Sequence, residues 1–361
     1  MSQFIERRSL RRPIPSERSE SKSRRKTKPL SILHLSSATL VIPYAQYHVP
    51  IPAADPYNPP MSSAAPAHRT LRVRHVTRYS YDQPVARSIH RLHLRPVTDF
   101  RQRVLSHTLD IDPDAPRVEF EDVFGNWSAR FELNQPYTHL TIAAESIVEV
   151  MDTNPFAFAQ LPIRPASYPL VWMPWERTML APYLTPVELP DTQLQELTDY
   201  AMSYVRRNNF DLMETLFALN LALYHDFKYT PCCTDLDTTP FQVYLTRRGV
   251  CQDFANLFIT MARLIGIPAR YVCGYLFTGN NHETRAQSDA SHAWVQLYIP
   301  NIGWKDFDPT NGVLPQTDHV RVAYGRHYRD ATPTMGTLYG SSPERMTIEV
   351  TVDDANAPVQ A

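Results

Sequence analysis

The spacing of apolar residues changes twice along this chain, and the two changes decide which folds it can reach. Leu71, Val73, His75, Thr77, Tyr79 and Tyr81 alternate with Arg72, Arg74, Val76, Arg78 and Ser80, the period of two that marks a half-buried strand. Further strand-like runs cover 87–95, 102–111, 117–123, 127–133 and 137–150, and "FGN" at 124–126 reads as a hairpin turn. Short strands at this spacing, with no helical period among them, predict an antiparallel β-sandwich over residues 70–152. After Asp191 the period becomes helical. Leu194, Leu197, Tyr200, Ala201, Tyr204 and Val205 share one face, Asp211 with Glu214 starts a second helix running to about Tyr229, and Thr239-Pro240 opens a short third. A fourth carries Phe254, Leu257, Phe258, Met261, Leu264 and Ile265 at helical spacing and stops at Gly266 and Pro268. Strands then return at 269–277, 292–299 and 304–308, the last two forming a hairpin across "PNIG", and Met346, Ile348, Val350 and Val352 mark one more. Helices followed by antiparallel strands describe an α+β domain over 191–352.

Between these two regions, prolines at 155, 162, 165, 169 and 174 alternate with aromatic residues. That density excludes long helices and central strands, so 153–190 reads as a linker. The first 69 residues read as a tail. Positions 1–30 hold ten of the 36 basic residues and three of the 37 acidic ones, a run too poor in apolar residues to offset chain entropy, and disorder is expected there. The apolar "SILHLSSATLVIP" behind it resembles a signal peptide only in outline, and a natural start at Met61, about ten residues before the patterned sequence, is a further possibility. A cytoplasmic protein is expected, with secretion the minor alternative.

The whole chain carries a net charge of -1, so no global field draws it to nucleic acid or a membrane. Its four cysteines, Cys232, Cys233, Cys251 and Cys273, are too few and too clustered for a secreted disulfide framework. They also lack the paired spacing of a zinc site, and the thirteen histidines show no HExxH pattern. No metal or cofactor is expected.

Chemistry concentrates in "RRGVCQDFAN", residues 247–256, which places Cys251 in the first turn of the fourth helix. Unpaired backbone N–H groups and the positive end of the helix dipole favour an anionic sulfur there. A lone cysteine is more often an inert core residue. His292 begins one strand of the later hairpin and Asp308 ends the other, so both come to one edge of the sheet. Nucleophile, base and orienting acid could meet where the helix N-terminus reaches that edge. One obstacle stands: regular pairing across "PNIG" sets Asp308 opposite Val295 or Gln296, three or four residues from His292, and a four-residue loop would turn the two side chains to opposite faces. A bulge or strong twist is then required.

The segments "RRGVCQDFANLFITMARLIGIPARYVCGYL" and "DASHAWVQLYIPNIGWKDFDPTNG", with "FKYT" upstream, resemble the core of the transglutaminase-like superfamily, in a bacterial branch described as cysteine proteases. "RHVTRYSYDQPV" and "DVFGN" resemble the N-terminal region that accompanies this core, so the likeness spans about 70–352. It implies a papain-like α+β core behind the sandwich and a Cys251, His292, Asp308 trio, with the stagger resolved. Asn256 stands where relatives often have His, and Cys273 where a small polar residue is common. The implied reaction is acyl transfer on an amide of a peptide or protein through a thioester, ending in hydrolysis or transamidation. Tyr229 is a candidate second oxyanion donor because a phenol can donate from a neighbouring segment; Asp289 and Trp294 are candidates to line the cleft. Two other readings compete: thioester acyl transfer as in arylamine acetyltransferases, and a non-catalytic peptide- or glycan-binding module of the same fold.

Overall fold

A computed structural model describes residues 4–7, 68–153, 167–231, 233–279, 291–340 and 343–356. Strands β2 (His68–Val85), β4 (Gln102–Asp112), β7 (Tyr137–Met151) and β15 (Glu344–Asp354) form an antiparallel sheet in the order β15-β2-β7-β4. A second sheet contains β1 (Phe4–Arg7), β3 (Arg87–Leu92), β5 (Arg117–Glu121), β6 (Trp127–Leu133) and β14 (Thr334–Tyr339), ordered β1-β14-β3-β6-β5. Tyr79, Tyr81, Leu109, Leu140 and Ile142 of the first sheet meet Leu92, Phe131, Leu133 and Leu338 of the second in one core, so the β region is a sandwich, as the period of two requires.

Three boundaries differ from the sequence reading. Phe4–Arg7, inside the expected tail, is a strand pairing in parallel with β14; residues 8–67, including the apolar leader and Met61, lie outside the described residues. Pro174–Leu184, inside the expected linker, is an eleven-residue helix, α1. Pro174 occupies its first position, where a missing N–H costs nothing, and Pro182 falls in its last turn. Finally, β14 and β15 follow the second domain in sequence yet complete the sandwich, because β15 pairs with β2 along eleven positions and β14 pairs with β3. Alternation identifies a strand but carries no record of which sheet takes it.

The second region stacks helices α2 (Asp191–Arg207), α3 (Leu212–Asp226), α4 (Pro240–Thr246) and α5 (Cys251–Leu264) on a four-stranded antiparallel sheet. That sheet holds β10 (Ala269–Leu276), β11 (His292–Ile299), β12 (Gly303–Phe307) and β13 (His319–Gly325), ordered β12-β11-β10-β13. Helix α5 buries Phe254, Leu257, Phe258 and Met261 against Tyr271, Ala293, Val295 and Leu297. Its C-terminus closes as the sequence predicts, with Gly266 at φ +76° and the paired bonds Ile267 N–H to Ala262 O and Gly266 N–H to Arg263 O. The second helix is shorter than expected. It ends at Asp226, and Lys228–Tyr229 is instead a strand, β8, pairing in parallel with β9 (Arg248–Gly249).

The opposite face of the core sheet packs on the sandwich. Leu71, Val73, Val148 and Val350 meet Tyr275, Val320 and Val322, and Val97 meets Val272, Trp294 and Tyr324. At about 3.3 Å per residue the 18-residue β2 spans roughly 60 Å, so one face of it serves both contacts, Leu71 and Val73 on the core and Tyr79 and Tyr81 in the sandwich. Buried Gln102 locks the junction: its Nε2 donates to Val97 O and Arg321 O at 2.7 Å, and its Oε1 accepts from Arg321 N at 2.9 Å.

Covered on both sides, the core sheet has no room at Gly274. A Cβ there would lie 2.1 Å from Val320 O and 2.5 Å from the Trp294 ring. The obstacle includes backbone, so Gly274→Ala is expected to cost on the order of 3 kcal/mol, read as a lowered urea midpoint at unchanged m-value; an unchanged midpoint would contradict this packing.

Candidate active site

Cys251 is the first residue of α5 and is 4% exposed. The residues before it fix its position. Gly249 pairs with Tyr229 across the two short strands, and Asp253 turns back to accept from Val250 N (2.8 Å) and from Thr234 Oγ1 (2.7 Å). The helix start is thus anchored by a carboxylate at its third position, the charge a helix N-terminus favours. Burial raises the Asp253 carboxyl above its ordinary pKa.

The register of the β11–β12 hairpin removes the expected stagger. Ile299 pairs with Gly303 and Val295 with Phe307, so the loop is three residues, turned by Asn301 at φ +63° and Gly303 at φ +86°. Continuing that register places Asp308 opposite Trp294, two residues from His292. A separation of two keeps both side chains on one face, about 7 Å apart along the strand. A turn closes the rest: Asp308 leaves the strand and bridges to Val313. His292 Nε2 then donates to Asp308 Oδ2 at 2.8 Å. No bulge in this hairpin is needed; a loop one residue shorter than the sequence reading assumed supplies the correction.

Cys251 is the other neighbour of the imidazole. Both groups are buried, His292 at 1% and Asp308 at 0% exposure. Burial alone would depress the His292 pKa, but the Asp308 carboxylate bonded to it, and after it Cys251, raise it to about 10. Asp308 moves oppositely, held far below the usual carboxylate range by His292 first and His319 next, against the opposing effect of burial. With Nε2 engaged by Asp308, Nδ1 is the ring nitrogen left for the sulfur.

Asp308 is more heavily bonded than a triad acid requires. Its Oδ1 accepts from Thr310 N (3.0 Å) and Asn311 N (3.3 Å), and its Oδ2 accepts from Asn311 Nδ2 (2.6 Å) and from His319 Nε2 (3.1 Å) as well as His292. His319 was not foreseen. It opens β13, a strand missed because its alternation sets His319 and Arg321 against Val320 and Val322 in the pattern of an exposed strand, whereas all seven residues are buried. Two imidazole nitrogens converging with Asp308 Oδ2 bring three possible metal donors within 4.8 Å of one another. Each nitrogen already donates to that oxygen, which makes the cluster a hydrogen-bonded hub.

The remaining sequence candidates divide. Tyr229 is half-buried and pairs with Gly249, two residues before Cys251, and its pKa is raised by burial first, then by Cys251 and Asp253. Trp294 lines a small cavity on the sandwich side of the core sheet, beside Arg101, Asp306, His319 and Arg321. It is fully buried, donates from Nε1 to Asp306 Oδ1 at 2.8 Å and packs against His292 and His319 at 5.8 and 5.2 Å between ring centroids. Unlike Ala293, Val295 and Leu297, which pack on α5, Trp294 and Gln296 lie on the other face of the sheet, and there Arg101, from the sandwich side, pairs with Asp306. Asp289 and Cys232 lie outside the described residues.

Residues 199–309 match the model of the transglutaminase-like superfamily, and residues 71–149 match that of the bacterial transglutaminase-like N-terminal region. The chain belongs to the transglutaminase-like superfamily. A transglutaminase-like core behind a bacterial N-terminal region is therefore its organisation, and Cys251, His292 and Asp308 all fall within the core match. An uncharacterized protein of Mycobacterium tuberculosis is 36% identical over 299 residues, covering 79% of this chain and 92% of its own length. A protein-glutamine gamma-glutamyltransferase of Pseudomonas aeruginosa is 38% identical over 96 residues, 25% of this chain and 14% of its own. Among solved structures, one from Cytophaga hutchinsonii, provisionally described as a cysteine protease, shares the fold with a TM-score of 0.64 at 21% identity, covering 81% of this chain and 93% of that one.

Proposed function

We propose that this transglutaminase-like protein performs cysteine-dependent acyl transfer on amides of peptides or proteins, with hydrolysis as its main outcome. The observation that carries the reading is the buried His292–Asp308 pair, bonded at 2.8 Å, with the Cys251 sulfur on the first turn of α5 and acting on the same imidazole. The Cys251 sulfur, its proton resting on His292, attacks the amide carbonyl. A sulfur–carbon bond forms, and the oxyanion lies against the Cys251 backbone N–H and the Tyr229 hydroxyl. His292 gives its proton to the leaving nitrogen, the carbon–nitrogen bond breaks, and an acyl-thioester remains. Water, deprotonated by His292, then releases the acid and restores the thiol; an amine in its place would give transamidation.

The second outcome is favoured by one observation, the 96-residue similarity to the Pseudomonas protein-glutamine gamma-glutamyltransferase. Incubation with a glutamine-containing peptide and a labelled amine separates the two by product mass. Deamidated or cleaved peptide is expected to predominate. Predominant amine incorporation would overturn hydrolysis, and an unmodified peptide together with an iodoacetamide-inert Cys251 would favour the binding module.

A further inference from the structure

His319 sits in a bonding arrangement that fixes its protonation. Nδ1 lies 2.8 Å from Asp318 Oδ1 and Nε2 lies 3.1 Å from Asp308 Oδ2. An ionised carboxylate only accepts. A neutral imidazole has one donor, so it could satisfy one of these contacts and would set a lone pair against the other; only the imidazolium donates to both. Asp308 therefore holds two rings, His292 at 2.8 Å and His319 at 3.1 Å, their centroids 6.0 Å apart.

We propose that His319 is a positioning residue of the thiol site, a fixed imidazolium that orients the Asp308 carboxylate and offsets its charge, so that His292 can return its proton to a leaving group. The proposal rests on the acyl-transfer reading above. Without the offset, Asp308 would act on His292 undiluted and hold the transferable proton too tightly. Other charged groups near His319 largely cancel. Arg101 on the cavity wall is paired with Asp306, and Arg321, two residues along β13, is paired with Asp99 at 3.0 Å. Trp294, packed edge-on, adds no charge. What remains are the two carboxylates and His292. The direction of the His319 pKa agrees: burial opposes protonation, and Asp308 and Asp318 together raise it.

Removing a nearby positive charge makes every neighbouring site keep its proton to higher pH. The pH window in which the sulfur is anionic and His292 protonated should thus move upward as a whole. His319→Gln removes the ring and its charge. Asp318→Asn leaves the ring bonded to Asp308 but lets it become neutral, and so tests the charge even where the first variant folds poorly. The measurement is the rate of Cys251 alkylation by iodoacetamide against pH, with the alkylated site identified by mass. Both variants are expected to reach half-maximal rate about one pH unit higher, an approximately tenfold slower reaction on the acid limb. An unmoved limb in a folded Asp318→Asn protein, or a limb displaced to lower pH, would overturn the proposal. A wild-type Cys251 that reacts no faster than the exposed thiol of Cys233 would instead remove the acyl-transfer reading beneath it.

Discussion

Cys251→Ala protein is expected to fold as the parent does and to lose acyl transfer entirely, at least 1,000-fold by the measure of other nucleophile deletions. Ala removes one sulfur from a residue already 4% exposed, a small cavity worth about 1 kcal/mol, so circular dichroism and the unfolding midpoint should barely move. Activity has no substitute. Cys273 is fully buried with its thiol pushed up to about 12 by burial, which leaves it protonated and unreactive near neutrality, and Cys233 is an exposed thiol with no described imidazole beside it. Cys251→Ser should fail nearly as completely, because an alcohol in place of the thiol cannot rest as the anion beside an imidazolium. Residual turnover within tenfold of wild type in either variant would show that the sulfur is not the nucleophile.

Asp308→Ala is expected to cost about 3–5 kcal/mol of stability together with activity, because it strands two buried rings that now share one carboxylate. Asp308→Asn separates charge from volume and gives the effect a pH signature. The Asp308 pKa is depressed in the folded protein, so its stabilisation is present above the unfolded value of about 3.9 and is lost as pH falls below it. The His292 pKa is raised to about 10, so its stabilisation is complete below the unfolded value of about 6.5 and is lost as pH rises from there through 10. The stability difference between wild type and Asp308→Asn should therefore be largest near pH 5–6 and shrink steadily toward pH 9.5, read from urea unfolding at three pH values. A difference that widens with pH would mean that the ion pair is not what Asp308 contributes.

The sandwich and α5 were legible because each rests on a local signal: a period of two, and a helix with its stop residues. Cys251 carried a weaker one, a cysteine one turn before an apolar stripe, and His292 and Asp308 were joined to it by the family resemblance. What was not legible depended on relations between distant segments. The partners of β14 and β15 follow from strands some 250 positions earlier, and no local pattern names them. The hairpin register hinged on one residue of loop length, enough to move Asp308 from the wrong face to the right one. His319 was missed because it faces the sandwich beside Trp294, and a polar residue on a strand reads as solvent-facing until the layer covering it is known. Asp306, fully surrounded by Arg101, Trp294 and Gln296, belongs to the same hidden layer.

Because β15 joins β2 and β14 joins β3, the final strands of the chain are the ones that finish its first domain. During synthesis the sandwich must wait, with an unfilled edge, until the whole core has emerged. The back of the core sheet, where Trp294 and His319 lean on the sandwich, waits with it. A polypeptide halted before Thr334 would therefore hold the core helix and sheet without the two strands that complete the layer behind them.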